Sequence, residues 1–148
     1  MTFSEEINKK ISIINSVLLN LNKKPLLENS DFSIDERSIE FYAKLSLNKE
    51  NYELKLDLIF TDNEIQVDID RVNEAFSWSN KQLSDQKEKI ISFFQVLFSS
   101  TIQIKYCGNN YTKIFFFNKD GDCIKSLKYV KGFYLKFGCD SKKYPPLY

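Results

Sequence analysis

With 148 residues, 43% of them hydrophobic and 28% charged, the chain is the size of one domain, with room for a core that needs neither disulfides nor metals. It contains no histidine and only four glycines, which excludes histidine-dependent catalytic triads and leaves little scope for a Gly-rich phosphate loop. Net charge is +1, yet residues 31–74 carry 12 acidic and 5 basic side chains while 101–148 carry nine lysines and three aspartates, an asymmetry that concerns partners rather than fold.

The opening MTFSEEINKK lacks the basic-then-apolar form of a signal peptide, and no apolar run approaches the length of a membrane span. A cytoplasmic protein without a membrane partner is the expectation. Thr2 with Glu5 matches a capping box, and Ile7, Ile11, Ile14, Leu18 and Leu21 recur at helical spacing. Lys23 and Lys24 suit the end of that helix, and Pro25 stops it. Residues 25–35 read as a connecting loop.

Tyr52–Glu74 reads as two strands joined by a turn at Asp62-Asn63, because Leu54, Leu56, Leu58 and Phe60 alternate with polar residues, as do Ile65, Val67 and Ile69. That turn sets Phe60 opposite Ile65, Leu58 opposite Val67 and Leu56 opposite Ile69. Ser38–Leu47 joins as a third strand through a turn at Lys49-Glu50, which sets Leu45 opposite Leu54, Ala43 opposite Leu56, Phe41 opposite Leu58 and Ile39 opposite Phe60. On the other face Asp57 falls opposite Asp68, with Tyr42 on its far side, and Lys55 lies between Lys44 and Asp70. Like charges directly opposite each other are unfavourable, so the aspartate pair is either made cheap by solvent screening and the diagonal lysines or awaits a cation, a Lys/Arg patch on a protein partner or a metal ion.

Asn73 to Asn80 read as a polar link carrying Phe76 and Trp78. Ser79 with Gln82 opens a second helix to about Ser99, with Leu83, Ile90, Phe94 and Leu97 along one face, widened by Ile91 and Phe98. Ile102, Ile104 and Tyr106 alternate, Gly108 to Asn110 turn the chain, and Tyr111–Asn118 with Asp122–Lys131 form a hairpin around Asp120-Gly121. Phe133, Leu135 and Phe137 suggest one more strand before a polar tail. The expected fold is a single α+β domain over 1–148, of order α-βββ-α-βββ(β), with mainly antiparallel pairing. Cys107, Cys123 and Cys139 are odd in number and lack a CxxC spacing, so reduced thiols are expected.

The order helix, three strands, helix, strand resembles the core of the PD-(D/E)xK nucleases, which implies a magnesium ion shared by Asp57 and Asp68. In this chain Asp70 stands where that signature needs lysine. Lys131-Gly132-Phe133 begins like the RNP1 element of RNA-recognition motifs, but Tyr134 replaces the small residue that follows, and the strand order differs. A helix followed by a meander also opens the type III secretion chaperones. In size, α+β layout and absence of catalytic groups the chain is most similar to the immunity proteins of bacterial contact-dependent growth inhibition. That resemblance implies a non-enzymatic protein that neutralises a cognate toxin, often a nuclease, by covering its basic active site. The expected partner-binding residues are Glu53, Asp57, Asp62, Glu64, Asp68, Asp70 and Glu74. No cofactor, no catalytic residue, no metal and no direct nucleic-acid partner are expected.

Overall fold

A computed structural model describes residues 2–77, 83–133 and 138–148. Among them the element order is α-βββββ-α-ββββ, an α+β fold with one five-stranded and one four-stranded antiparallel sheet. The chain divides into two compact units, Met1–Phe94 and Gln95–Tyr148.

In the first unit, helix α1 (Glu5–Asn20) is capped by Ser4, whose hydroxyl accepts from the Ile7 amide, so the cap lies two residues beyond the expected Thr2. Asn22, at φ 59°, ends it: the amides of Asn22 and Lys23 bond the carbonyls of Leu19 and Leu18, satisfying groups a helix end leaves open. Neither Lys23 nor Lys24 lies in the last turn. The buried stripe Ile7, Ile11, Ile14 and Leu18 lies on the same helix as Lys10, which is also fully buried.

The first sheet runs in sequence order: β1 (Phe32–Ile34), β2 (Tyr42–Leu47), β3 (Leu56–Thr61), β4 (Glu64–Ile69) and β5 (Val72–Ser77). The β3–β4 register is the expected one, with Phe60 on Ile65, Leu58 on Val67 and Leu56 on Ile69. The β2–β3 register is not: Ala43 pairs with Phe60 and Leu45 with Leu58, a slip of four residues from the expected alignment. The cause is a longer connection in which the Asn48 amide bonds the Asp31 carbonyl, Asn51 takes φ 59° and Leu54 is buried, so β3 starts only at Leu56. An even slip keeps every side chain on its expected face. Ile39 and Phe41, expected inside, are 60% and 58% exposed, because the chain bends at an isolated Ile39–Tyr42 bridge before β2 begins.

Two outer strands replace segments read as loops. β1 lies within 25–35, and β5 follows a two-residue turn in which Asp70 adopts φ 54°. Trp78, Ser79 and Gln82 lie outside the described residues.

Burial lowers the pKa of Lys10, although Glu6 and Asp62 act against that shift; its Nζ donates to the Asp62 carbonyl at 2.8 Å and to that of Glu6 at 3.4 Å. The folded chain therefore releases this proton at lower pH than the unfolded chain, so stability rises as pH climbs through the lowered value toward 10.5. Urea midpoints from pH 8 upward are expected to climb in the wild type relative to Lys10→Met; parallel profiles would contradict a charged lysine held in the core.

Helix α2 (Leu83–Ser99) starts in the first unit and ends in the second. Its Phe93 ring meets Phe76 of β5 edge-on at 5.1 Å, and Ile90, Phe94, Leu97 and Phe98 are buried as their spacing predicts.

The second sheet has the order β8-β7-β6-β9, where β6 is Thr101–Cys107, β7 Tyr111–Phe117, β8 Cys123–Val130 and β9 Asp140–Tyr144. The β7–β8 hairpin is the expected one, closed by Gly121 at φ 84° and by Asn118 Oδ1, which accepts from the amides of Asp120 and Asp122. β9 falls in the segment expected as a polar tail: the pairing partner β6 supplies its hydrogen bonds, not any apolar alternation of its own. Leu135 and Phe137 lie outside the described residues, while Phe133 is 81% exposed in a bend. Lys131-Gly132-Phe133 thus follows a strand instead of forming one.

Two cysteines expected as thiols are joined: Cys107 and Cys139, 32 residues apart in sequence, form a disulfide. The odd count concealed it, since Cys123 is simply left over as an exposed thiol. No helix among the described residues is long and apolar enough to cross a membrane.

Candidate functional site

The β3–β4 hairpin sets the site. At its turn Thr61 Oγ1 accepts from the amides of Asn63 and Glu64, and from there the alternation of β3 and β4 puts Asp57 and Asp68 side by side on the face opposite the core. Glu64 lies on that same face, as do Gln66 and, from β5, Asn73.

Neither aspartate is bare. Lys44 Nζ stands 3.9 Å from Asp57 Oδ2, with the two side chains 25% and 34% exposed, a screened contact worth at most about 1 kcal/mol. Asp68 Oδ1 accepts from the side-chain amides of Asn73 at 2.6 Å and Gln66 at 3.2 Å. The register slip brought Lys44 to Asp57: the expected alignment set it beside Lys55, whereas it pairs with Ile59 and Ser46 takes the place opposite Asp57. Asn73 reaches Asp68 because β5 pairs with β4.

The other expected residues divide. Asp70 sits in the β4–β5 turn, its amide bonded to the Lys55 carbonyl, and Glu53 is exposed in the connection before β3. Asp62 lies at the opposite end of the hairpin and serves the fold: its carboxylate accepts from Ser4 Oγ at 2.5 Å and its carbonyl from Lys10. Glu74 is opposite Val67, on the other face from Asp57 and Asp68. Asp57, Glu64 and Asp68 therefore share a surface that Asp62 and Glu74 do not.

The field around the patch has its sign. Residues 1–94 carry 17 acidic and 12 basic side chains, net −5, against +6 over 95–148. In the loop after β1, Arg37 is already spoken for: its guanidinium holds Asp35 at 3.1 Å and 3.2 Å and pulls that carboxyl down to about 2. Among the described residues no three metal-ligating side chains converge. Five consecutive antiparallel strands between the helices also depart from the three expected of a nuclease core or a secretion chaperone. No protein-family model, no curated protein and no solved structure matches the chain.

Proposed function

We propose that the chain is a non-enzymatic binding protein of a bacterial cell that neutralises a cognate toxin, a nuclease by preference, by covering its basic cleft with the outer face of the five-stranded sheet. The observation that carries this reading is Asp57 directly opposite Asp68, a like-charge pair that Lys44, Asn73 and Gln66 offset only in part and that an incoming cation would offset further. A nuclease cleft is basic because it holds phosphates, so complementary charge would speed encounter and reject wrong partners. Asp57, Glu64 and Asp68 form the centre of the contact; Asp70 and Glu53 contribute from its margins.

The proposed place of encounter is the cytoplasm, where such a toxin would act. The Cys107–Cys139 bridge weighs against that address, because cytosolic thiols are kept reduced. Alkylation of thiols in intact cells before lysis decides it: cytoplasmic residence predicts that both cysteines are trapped.

The test of the function is affinity capture from the native cell followed by titration of the captured protein. Asp57→Lys with Asp68→Lys is expected to weaken association on the order of a hundredfold at low salt, with the circular-dichroism spectrum unchanged. Affinity that is the same in this variant, or indifferent to salt, would remove the electrostatic mechanism.

A further inference from the structure

The second sheet has one buried face, carrying Ile102, Ile104, Ile114 and Phe116, and one half-exposed face that the acidic-patch reading does not use. On the latter, Lys105 of β6 pairs with Lys113 of β7, and Lys113 pairs with Lys128 of β8, so three lysines stand in a row across three neighbouring strands. Strands lie about 4.8 Å apart, which makes this a ladder of like charges. Lys143 of β9 joins the same face, opposite Gln103. Among the described residues none of these lysines has a carboxylate within ion-pair distance.

Lysine is common on sheet edges, where it discourages pairing with another chain. That accounts for Lys128 and Lys143, on the edge strands β8 and β9, but not for Lys105 and Lys113, which lie on the two central strands. Beside the ladder, Phe115 and Phe117 of β7 present their rings on the same face, half exposed, nearly parallel at 29° and 6.3 Å apart, with Lys113 Nζ 5.0 Å from the Phe115 centroid. Three like charges in a row are costly for the folded chain alone, and the Phe115 ring under Lys113 offsets only part of that cost. It matches a ligand that brings closely spaced negative charges together with flat apolar rings.

We infer that this face of β6–β8 is a binding platform for single-stranded nucleic acid: Lys105, Lys113 and Lys128 engage consecutive phosphates while Phe115 and Phe117 stack on unpaired bases. Stacking requires bases that are out of a duplex, which selects a single strand over a double helix and over an acidic polypeptide. The lysine-rich third of the sequence held the residues, but only the register aligned them. The platform lies on the second unit and does not depend on the acidic face of the first.

The experiment is fluorescence anisotropy of the full-length, disulfide-intact chain with a labelled oligothymidylate of about 20 nucleotides, a duplex of equal length and polyglutamate as competitor. Single-strand binding is expected at roughly 50 mM salt, with log K falling against log salt at a slope near −2 for three phosphates. Lys105→Gln, Lys113→Gln and Lys128→Gln together remove that slope and at least about tenfold in affinity; the relieved repulsion is set against the lost Lys113–Phe115 contact, so the urea midpoint of the variant is read alongside its affinity. Phe115→Leu with Phe117→Leu lowers affinity by roughly fivefold or more and leaves the slope in place. The proposal is overturned by absence of binding at that salt, by duplex or polyglutamate binding as tightly as the single strand, or by a leucine variant that binds like the wild type.

Discussion

Serine at both Cys107 and Cys139 is expected to lower the unfolding free energy by about 3–4 kcal/mol, the loop-closure value for a crosslink spanning 32 residues. The bridge ties the end of β6 to the residue just before β9, the strand with the weakest apolar content in either sheet. Without it, β9 must find β6 from a much larger ensemble, and its amides should exchange well before those of β6 and β7. Urea midpoints and amide exchange measure both effects. Reductant added to the wild type should reproduce the loss, whereas Cys123→Ser, which removes the exposed thiol outside the bridge, should change little. Equal midpoints for oxidised and reduced chains would mean that the four-stranded sheet does not rely on the link.

Phe60→Ala is expected to cost about 3–5 kcal/mol, because its side chain is completely buried, with Ala43 and Ile65 opposite it on the neighbouring strands. Phe41→Ala, by contrast, should fall within about 0.5 kcal/mol of the wild type, since that ring is 58% exposed. The pair separates the observed register from the one expected from the turn at Lys49-Glu50. In the expected register Phe41 faced Leu58 inside the core, and its removal would cost nearly as much as that of Phe60. Comparable losses in the two variants would therefore restore the shorter connection between β2 and β3.

The sequence alone determined whatever repeats locally. Alternation in β3 and β4, with a two-residue turn between them, was enough to place Asp57 against Asp68, and helical spacing was enough to locate α1 and the buried face of α2. The Asp120-Gly121 turn likewise announced the β7–β8 hairpin. In each case the determining interactions lie within a few residues along the chain, so the residue types carry the information themselves.

The tertiary structure decided what depends on a distant partner. β1, β5 and β9 are edge strands whose pairing comes from a neighbour's unpaired backbone groups, and edge strands need no strong apolar alternation of their own. The β2–β3 register turned on the bond from Asn48 to Asp31 and on burial of Leu54, neither of which is visible in the turn itself. The same dependence delivered Lys44 to Asp57, brought Cys139 to Cys107, and stacked Lys105, Lys113 and Lys128 in a row from positions up to 23 residues apart. Composition shows how many charges a segment holds; only the hydrogen-bonded ladder shows which of them must face one another.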